Sequence, residues 1–281
     1  MAQRLKDRGV VRIGGSDAAL FLHGLVTADI ESLTDGGTTF GGLLAPQGKI
    51  LFDFVAHRRG DAFLLDVPAE AVADLVKRLG FYRLRAAVEI DDLSAETAVV
   101  VDLGADAPAD GVGIPADPRL AALGTRTLAP SAETTGDSTA AYHERRIPLG
   151  IAEAWRDYPS ADVFPHEANF DYLSGVSLVK GCYVGQEVVS RMQHRGTARK
   201  RFIPCRLEGA AIELGTEITV DGRKVGRTGS AGGGYQLALL RLDRIGEVGA
   251  GNAPLTAGDS HLRPEMPAWM AQASAPVDAA E

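Results

Sequence analysis

The stretch Lys180-Gly-Cys-Tyr-Val-Gly-Gln-Glu187 combines two glycines, a lysine, a thiol and a tyrosine within eight residues. The glycines permit a tight backbone, and Lys180 stands two residues before Cys182. A nearby cation favours the thiolate form of a cysteine, and a helix that begins near Gly185 adds the favourable field of its N-terminus. Two interpretations remain open from residue type alone. Cys182 is a reactive thiol, or it is a small buried apolar residue that follows a turn.

The residues before this stretch predict a layer of strands and helices. Ser16–Gly24 has the length and end residues of a short helix, and Pro68–Leu79 has apolar residues at helical spacing. Strands are predicted at Ala62–Val67, Ala86–Ile90 and Ala98–Leu103. This order indicates an α+β fold. Residues 104–141 are rich in Ala, Asp, Gly, Pro, Ser and Thr and are typical of a linker, with disorder expected in the middle.

The residues after Arg201 predict an all-β unit. Short apolar segments alternate there with turn residues, and Asp221-Gly222 between two such segments is a strong hairpin signal. The residues from Pro267 to Glu281 are typical of a mobile tail.

Composition excludes several classes of protein. With 29 Lys and Arg against 37 Asp and Glu, the net charge is −8, which disfavours sequence-independent binding to nucleic acid. Apolar runs fall short of the roughly 20 residues that cross a bilayer. Without a secretory signal pattern we expect a cytoplasmic protein. The two cysteines, Cys182 and Cys205, are too few to enclose an iron–sulfur cluster, and the histidines show no zinc-site spacing, so no metal site is predicted.

Several stretches of the sequence, together with the motif at residues 180–187, resemble a known protein family. They include Phe21-Leu-His-Gly-Leu-Val-Thr-Ala-Asp29, Pro46-Gln-Gly-Lys-Ile-Leu-Phe-Asp53, Asp117-Pro-Arg119 and Phe164-Pro-His-Glu-Ala-Asn169. With Lys180-Gly-Cys-Tyr-Val-Gly-Gln-Glu187, they resemble the YgfZ family of folate-binding proteins, which is similar in fold to the aminomethyltransferase (T-protein) of the glycine cleavage system. The agreement covers roughly residues 8 to 243.

The resemblance implies a three-lobed ring of T-protein type with an all-β C-terminal barrel. We therefore expect a folate-binding region at 1–198 made of two interleaved α+β lobes, a β-barrel at 199–266 and a flexible tail at 267–281. The implied ligand is tetrahydrofolate or a one-carbon derivative. The implied role is assembly or repair of iron–sulfur proteins, with client proteins or cluster carriers as partners.

The resemblance also assigns candidate site residues. Cys182 would carry the thiol chemistry and Lys180 would tune it. Folate contacts are expected from Tyr142, Arg146, Glu167 and Tyr183, with Arg146 in the Arg-x-x-x-Gly element Arg146-Ile-Pro-Leu-Gly150. The ring of Tyr142 suits stacking on a flat pterin or benzoate, although a half-buried strand residue is an equal alternative.

A basic run follows the motif, with Arg191, Arg195, Arg199, Lys200 and Arg201, and no Asp or Glu lies between Val188 and Leu207. This local positive field suits a folate glutamate tail or an acidic partner protein, or is simply a solvated surface. RNA binding is disfavoured because no aromatic residues are interleaved with the charges.

Two other functions remain as alternatives. A folate-dependent aminomethyltransferase or other one-carbon transferase would need a catalytic aspartate, and Asp66 and Asp74 stand near the expected place without matching context. A folate-storage or regulatory module would not need Cys182.

Overall fold

Most of the apolar stretches between Val10 and Val101 form strands in the computed structural model. The structure describes residues 2–104, 114–196, 198–249 and 254–273. The residues divide by their contacts into two compact units. The first comprises Met1–His143 and Glu153–Ala198, and the second comprises Glu144–Ala152 and Arg199–Glu281.

The regular elements are numbered in chain order. The strands are β1 (Gln3–Arg4), β2 (Arg8–Gly14), β3 (Thr38–Leu44), β4 (Ile50–Arg59), β5 (Ala62–Pro68), β6 (Glu89–Asp92), β7 (Thr97–Asp102), β8 (Thr125–Pro130), β9 (Lys200–Glu208), β10 (Glu217–Val220), β11 (Arg223–Gly232), β12 (Tyr235–Arg241), β13 (Leu255–Ala257) and β14 (Ser260–Pro264). The α-helices are α1 (Ala18–His23), α2 (Val72–Arg83), α3 (Thr139–Arg146), α4 (Gln186–Arg195), α5 (Leu242–Gly249) and α6 (Ala268–Ala273).

The first unit contains two antiparallel sheets. The larger has the order β3-β4-β5-β2-β6, and the smaller has the order β1-β7-β8. Helix α2 buries Val72, Leu75 and Leu79, three and four residues apart, in the same apolar core as Val11 and Phe54 of the larger sheet. The helix continues through Gly80, where the sequence predicts its end, and stops at Arg83. A Cβ at Gly80 would meet no atom within 4 Å, so a larger residue would fit at this position of the helix.

The second unit is built around a closed six-stranded barrel with the order β10-β11-β12-β9-β14-β13. Its interior holds buried apolar side chains such as Phe202, Val225 and Leu237. The hairpin predicted at Asp221-Gly222 is confirmed, since β10 and β11 flank these two residues. Both have positive φ, 47° and 71°, as a type I′ turn requires.

The linker predicted at 104–141 contains ordered structure in its described part. Strand β8 pairs with β7 along six residues, from Thr97 opposite Pro130 to Asp102 opposite Thr125. The prediction of a linker is wrong here because β8, with the sequence Thr-Arg-Thr-Leu-Ala-Pro, lacks the apolar alternation by which a strand is recognised. Residues 105–113, in the part where we expected disorder, lie outside the described residues.

The segment predicted as a tail begins with a helix. Met270 on α6 is buried, and the indole N–H of Trp269 donates to the carbonyl of Leu149 at 2.9 Å within the second unit. Residues 274–281 lie outside the described residues.

Candidate functional site

The motif at residues 180–187 folds as a surface loop followed by α4, which begins at Gln186 as the sequence predicts. Gly185 precedes the helix with φ of 82°. A Cβ there would lie 2.8 Å from the carbonyl oxygen of Ala45 and 3.1 Å from the Cα of Gly48. Gly48, with φ of 81°, sits in the turn between β3 and β4, and its own Cβ would lie 2.7 Å from Val188. Two glycines therefore let the start of α4 lie directly against this turn.

Cys182 is exposed in the loop before α4. The alternative that it is a buried apolar residue is therefore wrong. The thiol is open to another molecule and stands four residues before the first residue of α4. Cys205 differs, because it is fully buried on β9 and its Sγ lies 3.8 Å from the carbonyl oxygen of Ile203. Burial raises the pKa of the Cys205 thiol.

Lys180 holds the loop in place. Its Nζ donates to the carbonyl oxygens of His23, Val26 and Ala28 at 2.6, 2.7 and 2.8 Å. An ammonium has three N–H donors, and each donor of Lys180 has one of these carbonyl oxygens as its acceptor. Burial lowers the pKa of Lys180 to about 8. The predicted role of tuning the Cys182 thiol stays a prediction. The geometry shows that Lys180 joins the motif loop to the end of α1 and to the segment that follows it.

Further hydrogen bonds fasten the loop to the same segment. The amide of Lys180 donates to Ser177 Oγ at 3.3 Å, and the amide of Ser177 donates to the carbonyl of Thr27 at 2.9 Å. Thr27 Oγ1 donates back to the carbonyl of Gly175 at 2.6 Å. The chain from 175 to 180 is thus fixed by side-chain and backbone bonds at both ends.

Tyr183 lies within the motif and Glu167 lies before it, and the predicted contact of each with folate stays a prediction. Tyr183 is buried with its ring 5.3 Å from Lys180 Nζ, and burial raises the pKa of its phenol to about 12. Glu167 accepts the amide of Phe164 at 2.9 Å through Oε2, which closes a turn. In the same turn, His166 lies 2.9 Å from Gln193 Oε1 of α4.

A group of charged side chains fills the interior of the first unit. We call it the buried ion cluster, and its members are Arg8, Asp66, Asp117, Arg119, Arg126, Tyr142 and Glu153. Each is at most 6% exposed. Sequence analysis missed this cluster, although Asp117-Pro-Arg119 was one of the stretches that carried the family resemblance.

Asp66 of β5 is the acidic centre of the cluster. It accepts Arg8 Nε and Arg126 Nε, each at 2.6 Å, through its two carboxylate oxygens. Burial alone would raise its pKa, but the charges of Arg126 and Arg8 outweigh burial and lower the pKa of Asp66. Asp74, the other aspartate considered for catalysis, is exposed on α2.

Arg119 is a second residue of the buried ion cluster that binds several partners at once. Its guanidinium donates to Asp117 Oδ2 at 2.6 Å, to Glu153 Oε1 at 2.7 Å and to the hydroxyl of Tyr142 at 2.6 Å. The same tyrosine hydroxyl donates to Glu153. Every carboxylate in this group faces at least one guanidinium, which is what allows the charges to be buried.

The ring of Tyr142 is enclosed by cations. The guanidinium carbons of Arg126 and Arg119 lie 5.3 and 5.9 Å from its centroid, and the ring is fully buried. The half-buried strand position considered for Tyr142 is wrong, because the residue is completely buried on α3. Its predicted contact with folate stays a prediction.

Arg146, the arginine predicted to contact folate, belongs to the second unit, and that contact stays a prediction. It is fully buried, and its Nη1 donates to the carbonyl of Ile151 at 2.7 Å. Its Nη2 lies 3.4 Å from Ser230 Oγ. These bonds hold the short 144–152 segment within its own unit.

Some buried polar atoms have no hydrogen-bond partner within the described part of the chain. They include Nη1 and Nη2 of Arg126 and both ring nitrogens of His57. Arg126 Nη1 lies 3.5 Å from Asp117 Oδ2, so it keeps an ionic contact. Burial lowers the pKa of His57 to about 4, so the imidazole is neutral at pH 7. Unsatisfied buried donors of this kind usually meet water or a ligand.

The described residues contain no group of three or more His, Cys, Asp and Glu side chains that could hold a metal ion. Nor does any helix in the described ranges have both the length and the apolar character needed to span a bilayer.

Comparison with known proteins identifies the barrel and the relatives of the chain. Residues 199–272 match the family model described as the CAF17 C-terminal beta-barrel domain. The chain is 32% identical over 283 residues to the mitochondrial iron–sulfur cluster assembly factor IBA57 of Homo sapiens, with 86% of this chain and 78% of the human protein covered. It is 34% identical to the IBA57 homolog of Pyricularia oryzae, with 91% and 75% covered.

Other relatives are longer than the matching part. The chain is 35% identical to the IBA57 homolog of Mycosarcoma maydis, with 72% of this chain covered, and it spans 56% of that protein. It spans 55% of the Neurospora crassa homolog. The chain therefore matches little more than half the length of these two curated relatives.

The fold comparison confirms the predicted T-protein fold. The structure of the glycine cleavage system aminomethyltransferase T from Bartonella henselae has a TM-score of 0.71 with this chain, at 14% identity, and covers 96% of this chain and 85% of that one. The relatives carry the name IBA57 rather than YgfZ. The predicted cytoplasmic location is wrong by this comparison, because the relatives are named as mitochondrial. A low cysteine content fits any reducing compartment and does not identify which one.

Proposed function

Because the chain belongs to the IBA57 family of iron–sulfur cluster assembly factors, we propose that it is an accessory factor for assembly or repair of iron–sulfur proteins and acts through Cys182. The observation that carries this proposal is the exposed thiol of Cys182 on a loop fixed by Lys180. Its partners would be client proteins or cluster carriers.

The chemistry follows from the number of thiols. A cluster is held by about four thiolates in most proteins. Cys182 is the one exposed cysteine of the two in the chain, so it supplies at most one ligand from this chain. The remaining ligands would come from a partner, and the cluster would be the cargo that passes between them. A loop that is already ordered lowers the entropic cost of that encounter.

Complementation tests the proposal. Wild type, Cys182→Ala and Cys205→Ala are expressed in a bacterium that lacks its own YgfZ-type protein, and the activity of a dependent iron–sulfur enzyme is measured. We expect rescue by wild type and by Cys205→Ala, and none by Cys182→Ala at equal protein level. Equal rescue by Cys182→Ala would move the mechanism away from the thiol.

We also propose that the chain binds tetrahydrofolate or a one-carbon derivative. The YgfZ-like motifs support this, as do the two terminal nitrogens of Arg126, which have unused hydrogen-bonding capacity in the described structure. Arg126 would bind a polar group of the ligand. Contact through the ring of Tyr142 would require the guanidiniums of Arg119 and Arg126 to move, because they lie over that ring.

Calorimetric titration with tetrahydrofolate tests the folate proposal. We expect binding by wild type, and at least about tenfold weaker binding by Arg126→Lys, which keeps the charge but loses the planar fork. Arg12→Lys is the control, because Arg12 pairs with exposed Glu89 and Asp91. Identical binding by Arg126→Lys would exclude this arginine, and no binding by wild type would end the folate proposal.

The aminomethyltransferase alternative receives less support. It would need an aspartate that is free to act on the substrate. Asp66 is held between two guanidiniums, and Asp74 is exposed on α2. These positions favour the accessory role.

A further inference from the structure

A cavity of about 310 Å³ opens beside α2. It is lined by residues of α2, by the start of β4 and by the chain between Trp155 and Ser160, all of which belong to the first unit. The described residues that line it include no member of the motif at residues 180–187 or of the buried ion cluster. Small-molecule sites usually have volumes of roughly 300–1,000 Å³. The cavity therefore has room for one small ligand and is separate from the thiol and from the buried charges.

The aromatic wall of the cavity is held in a fixed orientation. The indole ring of Trp155 stacks on Phe52, with ring centroids 5.9 Å apart and ring planes 21° apart. The indole N–H donates to the carbonyl oxygen of Leu51 at 3.2 Å, and Ser160 Oγ donates to the same oxygen at 3.1 Å. Since an indole has one N–H donor, Trp155 offers a ligand its ring and no further hydrogen bond.

The backbone of Trp155 is also unusual. Its φ is 67°, in the left-handed region that bulky residues rarely adopt and that costs free energy unless neighbouring contacts hold it. The amide of Trp155 donates to the carbonyl oxygen of Tyr158 at 2.8 Å. Together with the bond from the indole, this contact fixes the ring before a ligand arrives, which lowers the entropic cost of binding.

Helix α2 supplies the charged wall of the cavity. Its lining residues are Asp74, Lys77, Arg78 and Phe81, and all four are exposed. Their spacing of three, four and seven residues places them on one face of the helix. Among the ion pairs of the described residues, none involves Lys77 or Arg78. Two cations and an aromatic ring are therefore available to a ligand on this face.

The charges indicate which ligand fits. Lys77 and Arg78 against Asp74 leave the wall with one net positive charge. A phosphate monoester carries about −1.5 to −2 charges near pH 7 and can use both cations, whereas a carboxylate carries one charge. The planar fork of an arginine matches two phosphate oxygens, and a lysine adds a point charge. A triphosphate would bring more negative charge next to Asp74 than two cations can balance.

We propose that this cavity is a binding site for a nucleoside monophosphate. The base lies against the rings of Trp155 and Phe81. The phosphate binds Lys77 and Arg78, and the sugar hydroxyls donate to Asp74. Every base has a ring face and the indole N–H is already bonded, so the site distinguishes only weakly between bases. This function does not depend on the proposed cluster chemistry.

The fluorescence of Trp155 measures binding. The chain has two tryptophans, so Trp155 is the one that remains in a Trp269→Phe background. Adenosine monophosphate (AMP) titrated into the full chain should quench this fluorescence saturably. Adenosine and inorganic phosphate, each lacking one half of the ligand, should bind at least about tenfold more weakly. Guanosine and cytidine monophosphates should bind within about fivefold of AMP.

Two double variants separate the site from a general effect of charge. Lys77→Gln with Arg78→Gln should weaken the binding of AMP at least about tenfold, because both phosphate contacts are lost. Arg83→Gln with Arg85→Gln removes the same charge from exposed residues that do not line the cavity, and should bind AMP like wild type.

A second pair of variants tests the aromatic contact. Phe81→Ser should weaken the binding of AMP at least about threefold. Leu84→Ser is the control, because Leu84 is exposed and lies outside the cavity, and it should change nothing. The side chains are 65% and 88% exposed, so thermal midpoints close to wild type will show that both variants fold.

Several outcomes would overturn this assignment. They are no binding of AMP by wild type, equal weakening in both double variants, and tighter binding of ATP than of AMP. Tighter binding of a single-stranded RNA through Lys77 and Arg78 would make the cavity a nucleic-acid contact instead. Displacement of AMP by tetrahydrofolate would make it part of a folate site. Cys182→Ala should bind AMP like wild type, so this result and the complementation result can fail separately.

Discussion

The ammonium of Lys180 lies 2.7 Å from the carbonyl oxygen of Val26, a residue 154 positions earlier in the chain. With the carbonyls of His23 and Ala28, this contact makes a lysine of the motif the fastening point between two distant segments. The two residues therefore differ in role: Lys180 points inward and holds the loop, while Cys182 is exposed to solvent.

Replacing Lys180 with Met should loosen the loop. The change leaves three carbonyls without their donor, so we expect the free energy of unfolding to fall by about 2 kcal/mol. Hydrogen exchange of the amides from 177 to 186 should become faster. Lys77→Met on the exposed side of α2 is the control and should change neither quantity. Unchanged exchange in Lys180→Met would show that the loop is held by other contacts.

Replacing Asp66 with Ala should destabilise the first unit strongly. The change leaves Arg8 and Arg126 as buried cations without their shared partner, which typically costs about 3–5 kcal/mol. Denaturant unfolding followed by Trp155 fluorescence in a Trp269→Phe background reports on this unit. Asp91→Ala breaks an exposed ion pair with Arg12 and should cost less than about 1 kcal/mol. If Asp66→Ala and Asp91→Ala lowered the free energy of unfolding by similar amounts, burial would not determine the cost of breaking an ion pair here.

Asp53 and His57 should make opposite contributions to the pH dependence of the free energy of unfolding. Burial, followed by repulsion from Glu153, raises the pKa of Asp53 to about 6, so between pH 3.8 and 6 the folded state keeps a proton that the unfolded state releases. Raising the pH through this window lowers the free energy of unfolding. Burial lowers the pKa of His57 to about 4, so between pH 4 and 6.5 the unfolded state keeps the extra proton and raising the pH stabilises the fold.

Single variants separate these two contributions, each of which amounts to about 3 kcal/mol over its window. Relative to wild type, Asp53→Asn should gain stability as the pH rises from 4 to 6.5. His57→Gln should lose stability relative to wild type over the same range. Urea unfolding at pH 4.5, 5.5 and 6.5 measures both differences. Parallel curves for a variant and wild type would mean that its group does not titrate in this range.

The two cysteines should differ sharply in reactivity. Cys182 is exposed and should react with a maleimide within minutes in the native protein, whereas Cys205 is buried and should react only after denaturant is added. Mass spectrometry of the native protein should therefore find one modified thiol per chain. Cys182→Ser should remain unmodified until it unfolds. Two rapid modifications in the native protein would contradict the burial of Cys205.

Local parts of the site could be predicted from the sequence. The start of α4 after Gly185 follows from its glycine and the polar residues after it, and the Asp221-Gly222 turn follows from the backbone angles that its two residues tolerate. The T-protein fold followed from motifs spread along the chain. Each of these rests on neighbouring residues or on a match to a known family.

The remaining parts depend on distant partners. Lys180 binds backbone carbonyls, and carbonyls are present whatever the side chains of residues 23, 26 and 28 are, so no residue pattern reveals them. Arg126 lies on a strand that the Thr- and Ala-rich composition of its segment conceals. The pairing of Asp66 with Arg126 joins residues 60 positions apart, beyond the reach of local periodicity.

The direct backbone approach of Gly48 and Gly185 has an evolutionary consequence. A Cβ at either glycine would clash with the neighbouring segment, and the other glycine has no side chain that could move away. Any larger residue at either position is therefore destabilising, whether or not residue 182 is a cysteine. A lineage that abandoned the thiol would still be under selection to keep both glycines. Divergent descendants that keep both glycines would therefore share this contact whether or not they keep the thiol.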